Sequence, residues 1–161
     1  MKKAFTLLEL IIVIAIFTSF LIVLVLVLNN YLDKAQKNIL LLDSFRRLSE
    51  TADKVIEYLT KAAGPTTSVK VESPTKVTFD IILYGQKINA AIEVVGTTEF
   101  KYYENEQVQT IPVENVAISF AKAVPTSEID LPLKVTVSTP NPFNPTSTLS
   151  MEFTVYPPGV R

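Results

Sequence analysis

The 161-residue chain contains no cysteine, no histidine and no tryptophan. Without histidine and cysteine, the chain cannot build a Ser-His-Asp or Cys-His nucleophile, a zinc site of the usual ligands or a disulfide framework. The charges nearly cancel, with 15 Lys and Arg against 16 Asp and Glu. This balance does not favour nucleic acid as a partner, and no residue pattern indicates a cofactor or a metal.

Glycine and proline are missing from the first 63 residues, because all 4 glycines and all 10 prolines lie at or beyond Gly64. These two residues are the strongest helix breakers. Their absence predicts one continuous helix from about Phe5 to Ala63. Gly64 and Pro65 should end it, since glycine suits a left-handed cap and proline cannot continue a helix.

The first half of this predicted helix contains a long apolar run. From Leu10 to Leu28 the sequence carries no charge, and Thr18 and Ser19 are its polar residues. At about 1.5 Å per residue the 19 residues span roughly 28 Å, enough to cross a bilayer. A buried core helix is disfavoured because every face is apolar. No small-residue cleavage site follows Leu28, so we expect the segment to stay attached rather than to be removed as a secretory signal peptide.

The second half, residues 29–64, is amphipathic. Its apolar residues recur mostly three or four positions apart and form one stripe, while the charged residues fall on the other face and are interpreted as solvated. We expect the stripe to pack on the rest of the chain. Its members are Leu32, Ala35, Ile39, Leu42, Phe45, Leu48, Ala52, Val55, Ile56 and Leu59.

The remainder, residues 65–161, shows period-two alternation of apolar residues, as in Val77, Phe79, Ile81 and Leu83. This pattern predicts a mostly antiparallel sheet with one exposed face. Asn105-Glu106 is interpreted as a hairpin turn, and the proline-rich residues 139–145 as a loop between closing strands at Leu133–Thr139 and Thr148–Tyr156. The fold class is therefore α+β, with a long N-terminal helix packed on an antiparallel sheet.

The first ten residues, Met1-Lys-Lys-Ala-Phe-Thr-Leu-Leu-Glu-Leu10, resemble the prepilin leader of type IV pilins and type II secretion pseudopilins. In that family a membrane peptidase removes the leader and methylates the new amino terminus. The resemblance implies that residues 1–4 are removed by cleavage between Ala4 and Phe5, and that Phe5 is N-methylated. Ala4 stands where the family usually has glycine.

Glu9 is an ionisable residue directly before the apolar run, which is unusual independently of any resemblance. A carboxylate inside a bilayer costs about 2.5 to 3.5 kcal/mol on insertion scales, so such a residue is by default functional. An interfacial charge at the headgroup level is the alternative. The resemblance implies that Glu9 neutralises the Phe5 amine of a neighbouring subunit during assembly.

The resemblance further implies a ladle-like architecture, with residues 5–28 as the transmembrane and filament-core helix and residues 65–161 as the head. Leu26 stands where many major pilins have a helix-bending proline, and no cysteine pair is present. Both features argue against a major pilin, and the strand-rich head with its two closing strands more closely resembles that of a minor pilin or a J-type pseudopilin. The implied partners are other subunits, the prepilin peptidase, an inner-membrane assembly platform and lipid.

The implied location is a single pass of the inner membrane, with the N-terminus cytoplasmic and the head outside, followed by a periplasmic pseudopilus or a surface pilus. Lys2 and Lys3 favour this orientation.

Two other functions compete with a filament subunit. The first is a non-polymerising, single-pass membrane-anchored binding module, for which Phe100, Lys101, Tyr102 and Tyr103 are the aromatic and basic cluster, although strand alternation explains these residues as well. The second is an anchored enzyme, which is disfavoured because the carboxylates of the head follow no recognisable motif. These are Asp80, Glu93, Glu99 and Asp130. Pro140 to Leu149 also resembles the opening of immunoglobulin-like sorting domains, but it is interpreted as a loop because few residues follow it.

Overall fold

A computed structural model describes residues 7–160. It contains one long α-helix, α1, from Leu7 to Leu59. The chain divides into two compact units, the first ending at Leu40 and the second beginning at Leu41. The uninterrupted helix through residue 59 follows from the absence of glycine and proline there.

The helix ends four residues before the predicted Ala63. Thr60 still donates its backbone N–H to the Ile56 carbonyl at 2.8 Å, but the next two amides bond three residues back, which tightens the chain into a turn. Gly64 follows with φ +117°, a value that favours glycine. Gly64 thus lies beyond the turn that ends the helix, and not directly at the helix end.

The second unit is rich in strands. In chain order they are β1 (Ala63–Gly64), β2 (Lys70–Ser73), β3 (Lys76–Leu83), β4 (Gln86–Val95), β5 (Glu99–Glu104), β6 (Gln107–Pro112), β7 (Ala117–Lys122), β8 (Leu133–Asn141), β9 (Asn144–Val155) and β10 (Gly159–Val160). A short 3-10 helix, Thr66–Ser68, precedes β2.

These strands form two antiparallel sheets rather than the single sheet that the alternation predicted. Within residues 7–160, one sheet has the order β2-β3-β4-β5-β6 and the other has the order β7-β8-β9, while β1 and β10 form a short parallel pair. Turns of the first sheet meet β7 through backbone hydrogen bonds, from Phe120 N to Pro74 O at 2.8 Å and from Val116 N to Thr97 O at 3.0 Å. Period-two alternation identifies strands but not the sheet to which each belongs.

The C-terminal part of α1 packs against the five-stranded sheet. Leu48, Val55 and Leu59 are fully buried, and the Tyr58 ring contacts two aromatic rings of β5. The centroid distances are 6.0 Å to Phe100 and 4.6 Å to Tyr102. The expected packing of a helix on a sheet is confirmed for this segment.

The apolar stripe is buried over less of its length than predicted. Its members before Leu48 are half-buried or exposed, with Leu42 at 68% and Phe45 at 48% exposure. Its members from Leu48 onward are buried, except for the half-buried Ile56, and Thr51 and Tyr58 join them. The spacing identifies the apolar face of a helix, but not how far that face is covered.

The hairpin turn at Asn105-Glu106 is confirmed, since Glu104 pairs with Gln107 and Asn105 has φ 56°. The predicted loop over residues 139–145 is wrong, because β8 and β9 extend into it and Pro142 and Phe143 alone connect them. Beyond Ser138, among residues 7–160, β8 pairs with β9 alone. A proline at position 140 therefore removes no hydrogen bond on the β7 side.

Candidate functional site

The candidate site is the surface of α1 from Leu7 to Leu28. Its large apolar side chains are exposed on all sides of the helix, from 41% for Leu21 to 78% for Leu7. The helix is long and apolar enough to cross a membrane, and none of its most apolar 18-residue window is buried in the protein. Such a surface needs an apolar environment from outside the described residues of this chain.

The two hydroxyl side chains within this surface are satisfied by the helix itself. Thr18 Oγ1 donates to the Ile14 carbonyl and Ser19 Oγ to the Ala15 carbonyl, each at 2.8 Å. A hydroxyl that bonds four residues back does not require water. The polar residues of the run are therefore compatible with lipid or with a dry protein interface.

Glu9 lies in the first turn of the described helix and is exposed. The helix dipole favours a carboxylate in that position. Ala4 and Phe5, the residues of the expected cleavage and methylation, lie outside the described residues. The pairing of Glu9 with the Phe5 amine of another subunit therefore stays a prediction.

The apolar surface ends abruptly at residue 28. Asn29 and Asn30 follow, Tyr31 is 70% exposed, and Lys37 Nζ lies 2.7 Å from Asp33 Oδ2 in an exposed pair. Tyrosine is typical of the boundary between a membrane and water, and the ion pair is suited to water. The change in side-chain chemistry marks residues 29–31 as the end of the segment that needs an apolar environment.

The aromatic residues of β5 belong mainly to the core. Phe100 is fully buried and Tyr102 is 2% exposed, and burial raises the pKa of Tyr102 well above its ordinary value. The half-buried Tyr103 donates its hydroxyl to Glu93 Oε2 at 2.8 Å. Strand alternation therefore explains Phe100 and Tyr102, and the four residues present no aromatic platform for stacked bases.

Three of the four carboxylates that were weighed as catalytic residues, Asp80, Glu93 and Asp130, make structural contacts. Asp80 pairs with Lys87 at 2.8 Å, and Glu93 accepts from Tyr103. Glu99 lies at the start of β5, where its backbone stands opposite Pro112 of β6. Within residues 7–160, no three Asp or Glu side chains come close enough together to hold a metal ion.

Asp130 has a role that the sequence did not reveal. Its Oδ1 lies 2.6 Å from Lys122 Nζ, and its Oδ2 accepts the Val71 backbone N–H at 2.7 Å. Burial alone would raise the pKa of Asp130, but the hydrogen bonds from Lys122 and Val71 lower it below its ordinary value. The carboxylate thus fastens the segment between β7 and β8 to β2, a contact across 59 residues that has no local signal in the sequence.

A second polar cluster joins α1 to the segment after β6. Asp43 accepts from Arg46 and Arg47, each at 2.9 Å, and Arg47 also lies 3.5 Å from Glu114. The three- and four-residue spacing on the helix predicts the first two contacts. The contact with Glu114 depends on the tertiary fold.

No protein-family model, curated protein or solved structure matches this chain.

Proposed function

We propose that the chain is a structural subunit of a type IV pilin-like filament, either a minor pilin or a type II secretion pseudopilin. The observation that carries the proposal is the helix surface from Leu7 to Leu28, which is apolar and exposed on every side. A membrane-spanning helix and a helix in a filament core both need such a surface, because both environments exclude water.

The leader-like residues 1–10 support a filament over a permanent anchor. Cleavage between Ala4 and Phe5 by a prepilin peptidase would place a new, methylated amino terminus four residues before Glu9. The helix would first hold the subunit in the inner membrane with the head outside the cytoplasm. It would then pass into the filament without a change in its surface chemistry.

The second unit fits a structural role. Phe100 and Tyr102, which were weighed for binding, are buried in the core, and Asp80 and Asp130 are paired with Lys87 and Lys122. A subunit of a filament requires a folded head, and it requires no catalytic group in that head.

Glu9 would act by pairing with the Phe5 amine of the adjacent subunit. In a low-dielectric filament core, an amine that loses its carboxylate partner is left as an uncompensated buried charge, which is strongly destabilising. The pairing would also fix the axial position of an incoming subunit. Glu9 would therefore be needed for filament entry rather than for membrane insertion.

The proposal is tested by measuring the ratio of the protein in sheared filaments to that in the membrane fraction. We expect Glu9→Leu to insert normally and to enter filaments poorly, and Glu9→Asp to be intermediate because the same charge stands on a shorter arm. Thr18→Val is the matched control, since the Thr18 hydroxyl bonds within its own helix. It should behave as wild type in both fractions.

Filament entry of Glu9→Leu at the wild-type ratio would refute the charge-pair role. A wild-type protein that always remains in the membrane fraction, with its leader intact, would refute the filament role. That result would favour the anchored binding module instead.

A further inference from the structure

We propose that β9 is a self-association edge, at which two copies of this chain pair their β9 strands antiparallel about a two-fold axis at Met151. This inference concerns the head alone and does not rest on the proposed filament function. A two-fold contact closes on itself and yields a dimer, so it differs from the repeating contacts that build a filament.

The first argument is that β9 is a long edge with little protection. It has 12 residues, and within residues 7–160 its one strand partner is β8. From Thr148 to Val155 it contains no proline, one charge and no irregularity in its pairing with β8. Natural edge strands are usually shortened, charged, bulged or covered, because their free N–H and C=O groups invite another strand.

The other edge strands of the two antiparallel sheets are shorter or covered. The four-residue β2 has a bulge, and its Val71 N–H is taken by Asp130. The edge strand β7 is flanked by turns of the other sheet, which accept backbone N–H groups from Val116 and Phe120. The six-residue β6 ends in Pro112, whose carbonyl accepts from Lys54 Nζ.

The second argument is that one face of β9 is incompletely covered. Leu149, Met151 and Phe153 alternate along the strand and pack against the hydrophobic core, yet each is only half-buried. The alternating residues on the other face, from Thr148 to Thr154, are exposed. An added strand that presents apolar residues on the same face would extend the core beyond the present edge.

The third argument is that β9 complements itself. In an antiparallel pair centred on Met151, Leu149 lies opposite Phe153 of the second copy and Met151 lies opposite its own counterpart. The polar face is matched as well, since Ser150 lies opposite Glu152 and Thr148 opposite Thr154. The two Glu152 carboxylates do not oppose each other, and each is already paired with Lys134 of its own chain at 2.8 Å. Apolar side chains therefore meet apolar ones, and no like charges are directly opposed.

The register can be tested by disulfide crosslinking of the full chain in membranes, because the wild-type chain has no cysteine. Directly opposed residues in an antiparallel pair have Cα atoms about 4.5 to 5.5 Å apart, within the range of a disulfide. Met151→Cys should therefore give a disulfide-linked dimer under mild oxidation.

Thr148→Cys is the matched control, because the two copies of residue 148 would be separated by six residues, or about 20 Å. It should stay monomeric. The double variant Thr148→Cys/Thr154→Cys should regain the dimer, since residue 148 of one copy then opposes residue 154 of the other. Both of these positions are exposed, so this variant also keeps the test valid if Met151→Cys perturbs the fold.

Charge substitutions at Ser150 test whether the two β9 strands pair in this register rather than in another. Ser150→Glu would place a carboxylate opposite Glu152 of the second copy and should reduce crosslinking of Met151→Cys several-fold. Ser150→Lys would place an ammonium group there and should preserve or increase it. The proposal is overturned if neither Met151→Cys nor the double variant crosslinks, if all the single-cysteine variants crosslink equally, or if both charge changes abolish the dimer.

Discussion

Replacing Leu48 by Asp should unfold or severely destabilise the head, because Leu48 lies where α1 first becomes fully buried. Removing a buried Leu side chain as far as Ala costs about 2–5 kcal/mol, and an unpaired buried carboxylate adds a further desolvation cost. A typical domain has about 5–15 kcal/mol of stability in total. We therefore expect Leu48→Asp to lose cooperative unfolding, and Leu48→Ala to lower the thermal midpoint by at least about 5 °C.

The assay is thermal unfolding of the full chain in detergent micelles, followed by near-ultraviolet circular dichroism of tyrosine. This signal reports mainly the head, where Tyr58 and Tyr102 contact each other. Leu42→Asp is the matched control, because Leu42 lies on the same stripe but is 68% exposed. It should unfold at nearly the wild-type temperature. Equal unfolding temperatures for Leu48→Asp and Leu42→Asp would show that Leu48 is not part of the head's core.

Three further predictions concern individual contacts of the head. The pKa of Asp130 is lowered in the folded state, so its contribution to the free energy of unfolding is complete above the unfolded pKa of about 3.9 and is lost as the pH falls through the folded pKa. The urea midpoint of wild type should therefore fall more steeply below about pH 4 than that of Asp130→Asn. Parallel curves for the two proteins would contradict this. A Cβ at Gly159 would lie 2.7 Å from the Ala62 carbonyl oxygen. Gly159→Ala should therefore lower the free energy of unfolding in urea by about 1–3 kcal/mol, more than Pro158→Ala at the exposed neighbouring position. Equal stabilities of the two variants would show that the β1–β10 pair contributes nothing. Because burial raises the pKa of Tyr102, its hydroxyl should stay protonated in the folded protein up to about pH 11. Tyr102→Phe should therefore match wild type in tyrosinate absorbance over this range. A lower absorbance in the variant, by one tyrosine, would show that Tyr102 is accessible.

The course of α1 could be predicted because its signal is local. A helix without glycine or proline through residue 59, with a 19-residue apolar run, is specified by its own residues. Its last turn could not be placed, since Ala63 and Gly64 join a parallel pair with Gly159 and Val160 at the other end of the chain. Periodicity likewise marked Leu42 and Leu48 as one stripe, and only the tertiary fold distinguishes the exposed residue from the buried one.

The strands could be predicted, but their assembly into sheets could not. Alternation located Val77 to Leu83 and the turn at Asn105, because side-chain period and turn chemistry are local. It could not separate β7–β9 into a second sheet. The prolines between residues 139 and 145 argued for a loop, yet Pro140 lies where β8 has lost its β7 partner.

The candidate site could also be predicted only in part from the sequence. Thr18 and Ser19 could be identified as the polar members of the run, but only their side-chain hydrogen bonds show that they need no water. The ion pair between Lys122 and Asp130 joins residues near in sequence, but the bond from Val71 comes from a distant strand. No local pattern distinguishes Asp130 from the other carboxylates of the head as the one that holds two segments together.

We propose that the chain is processed at Ala4–Phe5 and becomes part of a filament. The most direct measurement is the intact mass and amino-terminal sequence of the protein recovered from sheared filaments. We expect the recovered chain to begin at a methylated Phe5, with the 4 leader residues removed. Recovery of the protein solely from membranes, with Met1 to Ala4 still attached, would contradict it.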